Sequence, residues 1–203
     1  MAKQLLVMGH DGGVDDYLSV MLLMAMNHIQ VLGIVVTPAD CYLRPAVSAT
    51  RKILDLMGRS EVPVAASTVR GVNPFPRIFR RDAFSVDHFP ILNERPEIKT
   101  PLAPEPGQAF LARLLREAPE PVTCLETGPL TTLAAALDID PRLVQRLEDV
   151  GQDAGPVAVP DGQDMGRGAL GEPVDTMRCP PGAEEGIHDP DHLVGDRDLS
   201  LVG

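Results

Sequence analysis

The sequence predicts an α/β fold, a mostly parallel open sheet flanked by helices. Three observations predict it. Short apolar runs of strand length alternate with segments of helical periodicity, Gln30 to Thr37 (QVLGIVVT) is a β-branched run of the kind buried on both faces of a parallel sheet, and glycine-bearing turns part the two kinds of segment.

The elements follow in order. Residues 4 to 8 (QLLVM) read as a buried strand. Residues 15 to 27 read as a helix whose first turn carries Asp15 and Asp16, where the helix dipole favours negative charge. The strand at Gln30 to Thr37 comes next. Ala46, Val47, Ile53, Leu54 and Met57 then recur at helical spacing from Pro45 to Met57, and Gly58 closes that helix. Val62 to Ala66 is a third strand. Residues 67 to 106 form a long Pro-bearing stretch with Asn73-Pro74-Phe75-Pro76 and a basic cluster from Arg77 to Arg81, and a loop of that length inside a domain is usually a lid or a pocket wall. Helical periodicity resumes from Gly107 to Glu117 through Phe110, Leu111, Leu114 and Leu115. Val122 to Thr127 is a fourth strand, and Gly128-Pro129 turns the chain into a helix from Leu130 to Leu137.

Sites in such sheets lie outside the carboxyl ends of the strands, and the turns at 9 to 16, 37 to 41 and 127 to 131 all fall at that edge. From residue 151 the alternation stops. The last 53 residues hold ten Gly and six Pro, no aromatics, and eleven acidic against three basic residues, a composition too poor in apolar surface to offset ordering entropy. The expected organisation is therefore one α/β domain over residues 1–150 and a disordered tail over 151–203. An out-of-frame reading of GC-rich DNA would account for such a tail.

Charge and composition exclude several classes. The 203-residue chain has a formal net charge of −11, which argues against a phosphate-backbone partner or an anionic membrane surface. No segment has the roughly 20 apolar residues of a membrane helix, and residues 1 to 3 lead straight into a strand, so a cytoplasmic protein is expected. Cys41, Cys124 and Cys179 are odd in number and widely spaced, which reads as ordinary reduced cysteines. Only Cys41 lies near the expected site. Met21, Met24 and Met26 read as core filling.

The chemistry concentrates in Gly9-His10-Asp11-Gly12-Gly13-Val14-Asp15-Asp16. Asp11, Asp15 and Asp16 repel one another unless solvent or a cation separates them, and a divalent cation bound by oxygens explains the pattern economically. Gly12 and Gly13 let the backbone fold tightly enough for Asp11 and Asp16 to converge. Asp15 points differently from Asp16 and could bind a substrate hydroxyl. A solvated acidic helix start is the alternative. A phosphate or dinucleotide cradle is disfavoured by the carboxylates and by the absence of GxGxxG spacing, whereas a metal-dependent phosphoesterase stays open.

The octapeptide resembles the Asp-rich signature of the inosine-uridine type nucleoside hydrolases, and Thr127-Gly128-Pro129-Leu130-Thr131-Thr132-Leu133 resembles their second signature. The resemblance covers roughly residues 3 to 150. It implies a Rossmann-like nucleoside hydrolase fold, of which this chain carries the N-terminal portion only. It also implies purine and pyrimidine salvage, one bound Ca²⁺, and hydrolysis of the N-glycosidic bond of a small-molecule ribonucleoside to free base and ribose. Asp11 would be a metal ligand and the general base, Asp16 and the Thr127 carbonyl further metal ligands, and Asp15 a partner of the ribose hydroxyls. Asp40 would stand in for a ribose-contacting Asn. The family usually carries Asp where this chain has Gly9, and its second half supplies a late Asp ligand and a His, which His188-Asp189-Pro190 imitates. The family tends to dimers or tetramers, so a homo-oligomer is expected. The competing reading is a truncated, inactive member with residual metal binding.

Overall fold

Leu5 to Met8 can be buried on both sides because the strand they form lies at the middle of the sheet. A computed structural model describes residues 3–71, 75–78 and 80–152. In it β1 (Gln4–His10) leads into α1 (Val14–Ala25), followed by β2 (Ile29–Val36), α2 (Leu43–Leu56) and β3 (Val64–Ala66). After a short helix α3 (Asp82–Asp87) and a 3-10 turn at Pro90–Leu92, the chain forms α4 (Gly107–Glu117), β4 (Val122–Glu126), α5 (Thr131–Ile139), a second 3-10 turn at Pro141–Arg146 and β5 (Leu147–Gln152).

The strand order is β3-β2-β1-β4-β5, and every pairing is parallel. The chain thus builds outward from β1 in one direction, then crosses back to build outward in the other. The reversal leaves a crevice between the carboxyl ends of β1 and β4, the usual position of a site in an open α/β sheet.

Strand alternation sorts the core into two layers. Leu6 and Met8 of β1, with Ile34 and Val36 of β2, pack under α1 and α2 against Val20, Ala46 and Ile53. Leu5 and Val7 face the opposite way, with Val35, Ala65 and Cys124, onto Phe110, Leu111 and Leu115 of α4 and Leu133 and Ala136 of α5. Met24 is buried in the first layer with Met21 and Met26 packed against it, as expected for core filling.

The expected α/β architecture is observed, with element ends moved by a residue or two. Four features were not predicted, the 3-10 turn at Pro141–Arg146 among them. α3 and the Pro90–Leu92 turn lie within the stretch 67–106, and β5 continues the sheet beyond β4. Leu147-Glu148-Asp149-Val150-Gly151-Gln152 lacks the apolar run of an interior strand, and among the described residues it pairs on one side, with β4.

The long connection is held down by one buried carboxylate. Asp55 near the end of α2 accepts hydrogen bonds from the Lys99 N–H (2.7 Å), the Thr100 N–H (2.9 Å), the Thr100 hydroxyl (2.7 Å) and the Ser60 hydroxyl (2.7 Å). Burial alone would raise its pKa, but these donors outweigh it and hold the carboxyl below its ordinary value. Asp55→Ala strands several of the donors and is expected to cost about 2–4 kcal/mol in urea unfolding at pH 7. Because the folded-state pKa is depressed, this contribution is present above the unfolded pKa of Asp and is lost as pH falls through the folded one. The gap between parent and variant should therefore narrow below about pH 4.

Candidate functional site

Three strand ends supply the site, and the turn after β1 organises it. Gly12 adopts φ +91°, a left-handed conformation natural to glycine, and a Cβ there would lie 2.7 Å from the Ala46 Cβ. The turn so formed points the N–H groups of residues 11, 12 and 13 at one oxygen. Asp16 Oδ2 accepts from Asp11 (3.3 Å), Gly12 (2.8 Å) and Gly13 (2.8 Å). Asp16 thus reaches back from the third position of α1 to close the helix start, as an acidic residue there commonly does.

The other oxygen of Asp16 faces β4. The Thr127 hydroxyl donates to Asp16 Oδ1 at 2.5 Å and also approaches the Gly9 carbonyl at 3.4 Å, while the Thr127 N–H donates to that carbonyl at 3.0 Å. A Cβ on Gly128 would lie 3.0 Å from the Asp11 nitrogen, so the residue after Thr127 packs directly on the Asp11 backbone. The turns at 9–16 and 127–131, expected to meet at the sheet edge, do meet.

Asp11 is buried and sits against Asp16. The Asp40 N–H donates to its Oδ2 at 3.3 Å, which brings in the third turn, after β2. Burial, then the negative charges of Asp16 and Asp40, push the Asp11 carboxyl up to about 8. Burial works on Asp16 in the same sense but is outweighed by the His10 ring at 3.7 Å and by the donors around it, so Asp16 lies well below the ordinary carboxylate range. The pair therefore divides into a fully hydrogen-bonded carboxylate and one with little holding its charge.

His10 belongs to the scaffold. It is fully buried, its Nδ1 faces the Gly12 N–H at 3.1 Å, and its Nε2 lies 3.1 Å from the Thr50 hydroxyl, which itself donates to the Ala46 carbonyl. It ties the turn to α2.

Asp15, by contrast, is exposed. With Gly13, Asp40, Cys41, Phe75 and Asp82 it lines an open cleft of about 530 Å³. Asp40 is half-buried, with its pKa raised by burial first and then by Asp16 and Asp15. Phe75 and Asp82 come from the stretch 67–106, which thus forms a wall of the cleft. In its basic cluster, Arg77 Nε bonds the Tyr42 hydroxyl at 3.1 Å and the Arg80 guanidinium lies 4.6 Å above the Tyr42 ring.

Sequence reasoning missed two parts of this region. Thr37, Thr132 and Ser67 form a buried hydroxyl chain (2.6 and 2.8 Å) that joins α5 to the ends of β2 and β3. Glu126 is only 3% exposed, and burial alone pushes its carboxyl up to about 8. Alternation in Val122-Thr123-Cys124-Leu125-Glu126 was the available signal, since it puts an acid on the face that Val122 and Cys124 bury. Cys41 and Cys124 are both buried, and burial raises their thiols to about 11 and 12. Cys179, His188 and Asp189 lie outside the described residues, as does the expected tail apart from Gly151 and Gln152, which end β5.

Among the described residues, no three His, Cys, Asp or Glu side chains converge as a closed metal cage. The donor chemistry still fits a hard cation in part. Among the described residues, Asp11 is a buried carboxylate that accepts only the long bond from Asp40, next to a second carboxylate, and a cation is the natural answer to that arrangement.

The sequence profile described as inosine-uridine preferring nucleoside hydrolase matches residues 6–157. The chain belongs to that family. Among nucleoside hydrolases it is 28% identical over 145 residues to the pyrimidine-specific ribonucleoside hydrolase RihA of Citrobacter koseri, a match covering 68% of this chain and 43% of that one. It is 28% identical over 150 residues to the inosine-uridine preferring nucleoside hydrolase of Leishmania major, covering 71% and 46%. The crystal structure of the inosine-uridine preferring nucleoside hydrolase of Bacillus anthracis superposes with a TM-score of 0.71 and 44% identity, over 73% of this chain and 49% of that one. The chain spans about half the length of the nucleoside hydrolases it matches. Among the described residues, no helix is long and apolar enough to cross a membrane.

Proposed function

We propose that this chain carries the calcium and ribose turn of a nucleoside N-ribohydrolase, a salvage enzyme of the cytoplasm that cleaves a ribonucleoside to free base and ribose. The observation that carries this reading is the meeting of Asp11, Asp16 and Thr127 in one hydrogen-bonded cluster at the β1–β4 crevice, beside a cleft lined by Asp15 and Asp40. Asp11, Asp16 and the Thr127 carbonyl would hold the cation. A bound Ca²⁺ supplies Lewis acidity that makes a neighbouring water easier to deprotonate.

The chain's own residues do the rest. Asp11 takes a proton from the attacking water, whose oxygen bonds to the anomeric carbon as the bond to the base nitrogen breaks and its electron pair leaves with the base. Asp15, exposed in the cleft, accepts hydrogen bonds from the ribose hydroxyls, with Asp40 beside it. The clustered carboxylates favour the positive charge that develops on the sugar in the transition state. Asp16 holds the turn in shape through its backbone donors.

The test is incubation of the 203-residue chain with uridine, inosine, cytidine and guanosine, in Ca²⁺ and in excess EGTA, with free base read by chromatography. Base release that requires Ca²⁺ is expected. Ca²⁺ binding without release from any of the four nucleosides would favour an inactive, metal-binding member. Phosphate release from uridine and inosine monophosphates in a parallel incubation would favour a phosphoesterase.

A further inference from the structure

We propose that Thr132 is a positioning residue of the cation site, one that sets the gap between the two turns holding Asp11 through a buried clasp of hydroxyls. The proposal rests on the reading that a cation is held at Asp11, Asp16 and the Thr127 carbonyl.

The turns that follow β2 and β4 both touch Asp11. From the first, the Asp40 N–H reaches its Oδ2 at 3.3 Å. From the second, Gly128 packs so closely that a Cβ on it would fall 3.0 Å from the Asp11 nitrogen and 3.2 Å from the Asp11 Cβ. Both turns are then fastened to the segment after β3. Thr37, at the start of the first turn, and Thr132, in the first turn of α5, place their hydroxyl oxygens 2.6 Å apart, and the Thr132 hydroxyl donates to Ser67 Oγ at 2.8 Å. A hydroxyl has one proton, so the Thr37 hydroxyl is the donor to Thr132. Ser67 Oγ in turn accepts from the Val69 N–H at 3.3 Å.

Gly71 adds a second fastening from the same segment. Its N–H donates to the Pro38 carbonyl at 3.2 Å. A Cβ on Gly71 would fall 2.8 Å from the Ala39 Cβ and 3.3 Å from the Pro129 Cγ. The segment after β3 therefore meets the chain next to Asp40 and close to Thr127, the two places where the turns act on Asp11 and Asp16.

Thr37, Thr132 and Ser67 are each no more than 1% exposed, so water does not satisfy their hydroxyls and each depends on the others. Valine has nearly the shape of threonine and would fill these places without the cost of burying a hydroxyl. What the hydroxyls add is geometry, because hydrogen bonds keep narrow lengths and directions and a satisfied buried chain fixes one arrangement. A cation site needs that definition. Ca²⁺ takes its oxygens at about 2.3–2.6 Å, so a shift of the turn by about 0.5 Å would carry the Thr127 carbonyl outside that range.

The experiment measures Ca²⁺ affinity of the full chain by calorimetry and Tb³⁺ affinity by luminescence, with Tb³⁺ lifetimes in H₂O and D₂O to count the waters on the ion. Thr132→Val keeps the shape and removes the hydroxyl. In conditions where urea curves show it folded, it is expected to bind both ions more weakly by on the order of tenfold or more and to leave more water on Tb³⁺. Thr132→Ser keeps the hydroxyl and should restore both quantities to those of the parent. A Thr132 that only stabilises the fold predicts a lower urea midpoint for Thr132→Val with affinity and water count unchanged, and that result would overturn the assignment. Gly71→Ala tests the same gap without touching a hydroxyl, since its methyl group wedges against Ala39 and Pro129. It should also weaken Ca²⁺, and unchanged affinity in the folded variant counts against the proposal. A parent that binds neither ion removes the underlying reading and the proposal with it, whereas tight binding indifferent to Thr132→Val removes only the proposal.

Discussion

Asp16→Ala is expected to destabilise the fold by about 2–4 kcal/mol and to abolish measurable Ca²⁺ binding. The size follows from what one carboxylate holds: three N–H groups of the turn on Oδ2 and the Thr127 hydroxyl on Oδ1, two of the four bonds buried and two part-buried. Alanine strands these donors, frees the start of α1 and unties β4 from the turn. Asp16→Asn separates the two effects. Its amide oxygen can still receive the backbone N–H groups, and its NH₂ can donate to the Thr127 hydroxyl, so most of the stability should return. The negative charge does not return, so Ca²⁺ binding should remain lost. Urea unfolding and calorimetric titration of both variants read the two quantities independently. Full Ca²⁺ affinity in Asp16→Asn would remove Asp16 from the ligand set.

The legible part of this molecule is the part governed by local pattern. β1 and β2 are continuous apolar runs, α2 and α4 carry periodic apolar faces and α5 follows a Gly-Pro turn, and their observed positions follow these signals closely. The octapeptide was legible for a different reason. A strand end, a glycine turn and a helix start compress three carboxylates into six positions, and charge repulsion at that density demands an explanation from the sequence alone.

What sequence could not reach depends on contacts across the sheet. Thr132 acquires its interest only through the fold, which sets it against Thr37, 95 positions away in the chain, and against Ser67. α3 is too short to show periodicity, and its Ala83 and Val86 are buried only because α2 is there to receive them. Asp55 looks like one more surface acid near the end of an amphipathic helix, and only the return of Lys99 and Thr100 reveals it as the anchor of the long connection. The roles of Asp11 and Asp16 also part company only in three dimensions. Both belong to one motif, but the turn directs its donors to Asp16 and leaves Asp11 nearly bare.

That asymmetry predicts opposite signatures for the two residues. Asp11→Ala is expected to reduce Ca²⁺-dependent base release from the best of the four nucleosides by on the order of 10³-fold or more, since it removes a proton acceptor and a cation ligand together. Yet it should leave stability unchanged or raise it by about 1 kcal/mol. Among the described residues Asp11 accepts a single bond, of 3.3 Å, and its carboxyl is buried next to Asp16 and Asp40 at a local cost that activity would justify and folding would not. Asp11→Asn sharpens the test, because it preserves the shape and the contact with the Asp40 N–H while removing the basic oxygen. It should be nearly as inactive as alanine and equally stable. Base release within tenfold of the parent in Asp11→Asn, under Ca²⁺ concentrations that saturate both proteins, would mean that another group takes the proton. A clear loss of stability in Asp11→Ala would mean that the residue is held by contacts stronger than the one from Asp40. The two measurements together decide whether the uncompensated carboxylate at the β1–β4 crevice is the working group of the site or a further part of its scaffold.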